Sequence, residues 1–197
     1  MSKQVVVSDL YGDGAPPPVT FSGGAQGEWR IEWITAVRGT GLPPADRLHI
    51  NEGDPPSEPA DTAWSLRGVT GNLRYTNEGE RLALLPAQPP LRRANASRAA
   101  LIPVRKSNRW WNLAQDERRA IFEERSNHIS TGLKYVPAVA RRLHHCRDLG
   151  EPFDFLTWFE YAPEDERGFD ELVNRLRATE EWAYVDREVD IRLAREA

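Results

Sequence analysis

"FDFLTWFEYAPEDERGFDELVNRLRATEEWAYVDREVDIRLA", residues 153–194, is the stretch that decides the fold class. Its opening, 153–161, is almost wholly apolar and aromatic, which predicts a mostly buried strand. From 164 to 182 the period changes to 3.6: Phe169, Leu172, Val173 and Leu176 fall at i, i+3, i+4 and i+7, an amphipathic helix. Residues 185–194 then alternate, with Val185, Val189, Ile191 and Leu193 on one face and only Arg187 interrupting it.

The same order occurs upstream. "RAALIPVRK" (98–106) is strand-like, and "WWNLAQDERRAIFEERSNHI" (110–129) is free of Gly and Pro and full of helix formers. A strand followed by a long helix, twice, predicts an α+β fold with helices over one face of antiparallel sheet. Between the two units the first helix should stop near Gly132. Pro137 should then open a second helix, "PAVARRLHHCRDL" (137–149), with Gly150 after its end.

The first ninety residues have a different texture. Pro- and Gly-rich clusters at 13–19, 38–47, 52–61 and 86–90 mark loops. Strand-like runs lie between them at 28–37, 63–76 and 81–86.

Composition narrows the function. The 197 residues are long enough for a real core, and 40% apolar with 28% charged is the balance of a globular chain. A net charge of −4 argues against a general nucleic-acid binder but leaves room for a small anion in a local cationic pocket. Cys146 is the single cysteine, so there is neither an intrachain disulfide nor a CxxC metal site. No apolar run of membrane-spanning length occurs, and "MSKQVVVSDLYGDG" lacks the features of a secretory signal. The expected location is cytoplasmic.

Several residues carry candidate chemistry. His128, near the end of the predicted helix and two turns from Ile121, is either a capping or core histidine or a ligand. No second His, Asp or Glu stands in a zinc-like pattern around it, whereas an iron porphyrin needs only one protein ligand. Arg141 follows thirteen residues later beside Arg142; one of the two can face a pocket, and spacing does not choose between them. His144 and His145 are a surface pair or packing residues. Trp110 and Trp111 are core anchors or stack on a flat cofactor. Glu180 and Glu181 fall at the end of the last predicted helix, unfavourably for the dipole, which asks for a specific partner for one of them. Lys106 ends a strand before a loop, most often a surface position.

"RAALIPVRKS" (98–107), "WW…QDERRAIFE" (110–123), "H…LKYVPAVAR" (128–141), "HCRDLGEPFDFLTWFEYAPE" (145–164) and "LRATEEWAYVDREVDIRLAR" (176–195) together resemble the chlorite dismutase family of haem proteins. The likeness is to its short, dimeric branch; "SLRGV" and "LRY" extend it weakly to about residue 65. It implies two ferredoxin-like halves whose antiparallel sheets make a barrel-like arrangement with helices outside. Residues 1–97 would be a truncated N-terminal half with Pro/Gly-rich loops. Residues 98–197 would be the haem-binding half, the two forming one compact domain.

The resemblance also implies roles. His128 would be the proximal ligand of haem b iron. Glu181 would accept a hydrogen bond from its other ring nitrogen, and Lys106 would neutralise and hold Glu181. Arg141 would stand on the distal side, with Gln88 hydrogen-bonding it. Trp110 would line the haem site, and Val136 would flank the access route. The implied activity converts chlorite to chloride and O2 with formation of an O–O bond, in a homodimer, with no nucleic acid or membrane partner. Within the same superfamily the alternatives are a haem peroxidase or a coproporphyrin- or haem-handling protein; the relatives that handle coproporphyrin lack the arginine at position 141. A single straight helix would hold His128 and Arg141 about 20 Å apart. Two helices separated at Gly132–Pro137 would let both reach one porphyrin.

Overall fold

The computed structural model describes residues 17–53, 58–71 and 78–195. Eight strands are found there: β1 (Pro18–Gly24), β2 (Trp29–Arg38), β3 (Arg47–Glu52), β4 (Thr62–Thr70), β5 (Arg98–Lys106), β6 (Ala140–His145), β7 (Phe155–Tyr161) and β8 (Val185–Ala194). All pair antiparallel, and they close into a barrel in the order β1-β3-β2-β8-β5-β7-β6-β4. Each half of the chain repeats one order. In both, the fourth strand lies beside the first, then the third, then the second, which is the ferredoxin-like arrangement. The seams between halves are β2–β8 and β4–β6.

Closure encloses an apolar interior, although β2 is buried only at Trp29. Phe21, Trp29, Leu48, Leu66, Leu101, Leu156, Trp158, Ile191 and Leu193 fill the barrel interior. In the second half the outer face is buried too. Ala100, Ile102, Val104, Phe159 and Tyr161 pack against Phe169, Leu172 and Val173 of the helix Glu166–Arg177. This explains why residues 99–104 are apolar without alternation: β5 is covered on both sides. Each fully buried large apolar side chain in these layers contributes about 1.5–3 kcal/mol.

The helices are labelled α1 (Glu78–Ala87), α2 (Asn108–Trp111), α3 (Gln115–Arg119), α4 (His128–Leu133) and α5 (Glu166–Arg177). α3 runs on into a π-helical turn, Ala120–Arg125, and short 3-10 segments cover Arg147–Leu149, Pro163–Asp165 and Glu180–Tyr184. None is long and apolar enough to cross a membrane among the described residues.

The structure corrects several expectations. Residues 137–149 do not form a helix: β6 occupies 140–145. β4 and β7 both present backbone N–H and C=O groups there, and a strand satisfies them where a helix would not. On a strand His144 and His145 point to opposite faces, and both are buried, so they are packing residues and not a surface pair. His144 Nδ1 lies 3.3 Å from the Thr70 hydroxyl, and His145 Nε2 donates to the Gly71 carbonyl at 3.0 Å.

Residues 81–86 belong to α1 and not to a strand. Short apolar runs fit either period, and here Glu80 of the first turn pairs with Arg119, at 3.0 Å for one of two bonds. The strands β1 and β3 were not anticipated, because "PVTFSGG" and "RLHINE" are short and set among Pro/Gly loops. The strand expected over 63–76 ends at Thr70, and its continuation over 72–77 lies outside the described residues. Of the loops expected over 13–19 and 52–61, residues 13–16 and 54–57 lie outside the described residues, and Pro18 and Val19 belong to β1 instead. Val185 does not share a face with Val189: the β5–β8 register skips Asp186, which turns Val185 toward the helix side. The long helix expected over 110–129 is broken into α2, α3 and the π-helical turn.

Candidate functional site: a helix-roofed cavity on the outer sheet face

The break in that helix shapes the site. Asn127 adopts a left-handed conformation (φ 52°), which a short polar side chain tolerates, and α4 restarts at His128. His128 is therefore at a helix start and not at a C-terminus. Glu123 closes the new N-terminus: its carboxylate accepts the Ile129 N–H at 2.6 Å and the Ser130 N–H at 3.2 Å. Similarly, α5 ends at Arg177, so Glu181 does not oppose a helix C-terminus. It lies in the first turn of the 3-10 segment Glu180–Tyr184, fully inside the protein.

There Glu181 meets two partners. Its Oε2 is 2.6 Å from His128 Nδ1, and its Oε1 accepts from Lys106 Nζ at 2.7 Å. Lys106 is not a surface residue: it and Glu181 are each 4% exposed in their side chains. The Glu181 N–H donates to the Ser126 hydroxyl at 3.0 Å. Burial by itself raises the Glu181 carboxyl, but the charges and hydrogen bonds of His128 and Lys106 outweigh it and hold the group down at about 2. Glu181 is therefore an anion that can only accept. His128 must donate through Nδ1, so in the neutral ring Nε2 keeps its lone pair.

Two aromatic rings lie nearly parallel to the imidazole. Phe122 stacks on it at 4.4 Å and 24°, and Trp182 lies at 6.4 Å and 21°. Lys106 Nζ sits 4.7 Å from the ring centre of Trp110 and 5.2 Å from that of Trp182. Two indole faces thus add to the carboxylate in stabilising a buried ammonium.

His128, Lys106, Glu181, Trp110, Val136 and Arg141 all line one cavity of about 750 Å³ between the outer face of β5–β8 and the helices. The volume lies within the roughly 300–1,000 Å³ of small-molecule sites. Its walls are mostly apolar, with Ile102, Phe155, Phe159 and Leu172 among them. Arg141 reaches it from β6 and not from a helix. Burial lowers the guanidinium pKa, yet arginine stays a cation in proteins. Gln88 meets Arg141 through the main chain, its Nε2 donating to the Arg141 carbonyl. Sequence reasoning thus named six residues that converge on the cavity and one that braces it. It gave no role to Phe122, Glu123, Arg118 or Trp182; the adjacency of Trp182 to Glu181 was the available signal.

The donor set suits a flat, mainly apolar group carrying carboxylates and one metal. Among the described residues no three His, Cys, Asp or Glu side chains converge as a metal site, so a metal here would have to bring most of its own ligands. Two buried donors of lining residues, Trp110 Nε1 and Arg118 Nε, have no hydrogen-bond partner, a costly arrangement unless an acceptor enters the cavity. A porphyrin with its propionates meets each of these conditions.

Comparison with known proteins points the same way. The family model described as Chlorite dismutase matches residues 57–197. A curated chlorite dismutase from Ideonella dechloratans is 33% identical over 103 residues, 51% of this chain and 35% of that protein, so the match spans about a third of the relative's length. A solved structure of dimeric chlorite dismutase from Nitrobacter winogradskyi is 56% identical with a TM-score of 0.84, covering 90% of this chain and 99% of that one. A mutant chlorite dismutase from Candidatus Nitrospira defluvii shares the fold at 17% identity and a TM-score of 0.63, over 93% of each chain. With a family model covering most of the chain and a whole-length relative at this identity, the chain belongs to the chlorite dismutase family.

Proposed function

We propose that the protein binds haem b in the cavity, where His128 would hold the iron through Nε2, and converts chlorite to chloride and O2. The observation that carries this reading is the buried Lys106–Glu181–His128 chain facing an apolar cavity that Arg141 also enters. When bound, the haem would supply a redox-active iron centre for the conversion of chlorite. All atoms of the products come from chlorite and no net electrons are exchanged, so no reductase or nicotinamide is required.

The chain's own residues do the rest. Glu181 accepts a hydrogen bond from His128 Nδ1–H, which fixes the tautomer and makes Nε2 a better electron donor to a metal. Lys106 keeps Glu181 ionised in a buried setting. Arg141 brings a fixed positive charge and planar donors into the cavity, which attracts chlorite and retains chlorine-containing fragments until they react. Gln88 holds the Arg141 main chain, and with it the position of the guanidinium. Trp110 Nε1 and Arg118 Nε supply donors for the propionates. Val136, buried on the cavity wall, flanks the route inward. We also propose a homodimer, supported by the likeness to a dimeric relative and by the exposure of Trp33 (48%) and Val37 (39%) on the outer face of β2.

The test is oxygen evolution. Protein loaded with haem b, verified by its Soret band, is given chlorite while O2 and chloride are followed. Equal amounts of the two products are expected, with yield lost or short-lived in Arg141→Ala. Haem-loaded protein that releases no O2 would overturn the activity.

A further inference from the structure

Glu188 is the most buried carboxylate near the site, and it lies on the cavity wall beyond the Lys106–Glu181–His128 chain. An ion in such a place costs several kcal/mol unless fully engaged. Both of its oxygens are engaged. Oε1 accepts from Arg177 Nε at 2.8 Å, and Oε2 accepts from the indole N–H of Trp182 at 2.7 Å. Arg177 is itself steadied by Asp190 at 2.8 Å. Arg38 donates to the Trp182 carbonyl at 2.8 Å, so Trp182 is pinned at both main chain and ring.

That ring matters because of where it lies. The hydrogen bond from His128 to Glu181 fixes one point of the imidazole but leaves it free to tilt about the Nδ1–Oε2 line. Near-parallel neighbouring rings limit that freedom: Phe122 at 4.4 Å and Trp182 at 6.4 Å between ring centres. Trp182 is tied to the sheet through its indole N–H. We infer that Glu188 is a positioning residue for the His128 site, holding the Trp182 indole parallel to the imidazole and so fixing the plane of the ring presented to the cavity. The inference rests on the reading of His128 as the haem ligand.

Glu188→Gln tests it without changing size. An amide has one acceptor and one donor end. With its oxygen toward Arg177, it turns N–H toward N–H at Trp182 and that bond is lost. Trp182→Phe removes the same bond and changes no charge. The readouts are the iron–histidine vibration of the ferrous haem protein, by resonance Raman, and the rate of haem transfer to an apo-globin acceptor. Both variants should broaden or split the iron–histidine band and speed haem loss by roughly 10-fold, the lower end of effects from groups behind a ligand. The double variant should do no worse than Trp182→Phe alone. Wild-type bands in both single variants, or additive effects in the double, would overturn the role of Glu188. Absence of an iron–histidine band in the wild type, or its survival in His128→Ala, would instead overturn the ligand assignment beneath it. Urea unfolding of each apo-variant separates these outcomes from a folding defect.

Discussion

Replacing Lys106 by methionine should destabilise the apo-protein by about 2–4 kcal/mol. The Glu181 carboxyl is held at about 2 against its ordinary 4.5, because His128 and Lys106 outweigh the penalty of burial. At about 1.4 kcal/mol per pH unit, that difference is about 3 kcal/mol of net favourable interaction with the anion. Lys106 and His128 share it. Removing one partner of a buried pair typically costs about 3–5 kcal/mol, since the other charge is left behind. Methionine still fills the space between the Trp110 and Trp182 rings and recovers part of the loss through sulfur–aromatic contact. The assay is urea unfolding of the apo-protein, with the midpoint shifted and the slope unchanged. Lys106→Met combined with Glu181→Gln should be less damaging than Lys106→Met alone, because no buried charge is stranded. A loss below about 1 kcal/mol in the single variant, or a double variant as damaged as the sum of its parts, would refute the reasoning. The sign with pH follows from the depressed pKa: this stabilisation is complete above pH 4.5 and is lost as the pH falls toward 2.

His144 carries a second acid liability. Burial, reinforced by the charges of Arg142 and His145, lowers it to about 3, so its stabilisation is complete above pH 6.5 and fades as the pH falls toward 3; in pH-dependent unfolding, His144→Gln should remove about 3 kcal/mol of the wild type's loss between pH 7 and 4. Glu123→Ala frees two N–H groups at the start of α4 and should cost about 1–2 kcal/mol in urea unfolding, with faster haem loss because His128 begins that helix. Trp33→Glu should give monomers by light scattering while haem binding persists; a dimer that survives the change would move the interface away from β2.

The family's motif residues were legible in the sequence as a linear pattern, but the reason they act together was not. His128, Lys106 and Glu181 are far apart in the chain, and only the resemblance linked them. The structure adds what that pattern omits: Phe122 and Trp182 as rings near-parallel to the imidazole, Glu123 as the clamp on α4, and Arg118, like Trp110, as a buried donor without a hydrogen-bond partner. None of these follows from residue type, since phenylalanine or arginine at such positions is ordinary in any amphipathic helix.

The sequence by itself determined the elements whose burial is one-dimensional. Residues 164–182 carry a helical stripe and 153–161 and 98–106 are apolar throughout, so local period and composition were enough to predict a helix and two buried strands. Only the tertiary structure decided that 140–145 is a strand, that 81–86 is helical, that Val185 turns away from Val189, and in what strand order the barrel closes. The physical reason is that helix propensities differ by less than about 1 kcal/mol per ordinary residue. An unpaired backbone group in a buried ladder costs about 1–3 kcal/mol. β4 and β7 come from distant parts of the chain, and their need for a shared neighbour outweighs the local preference of "ARRLHH".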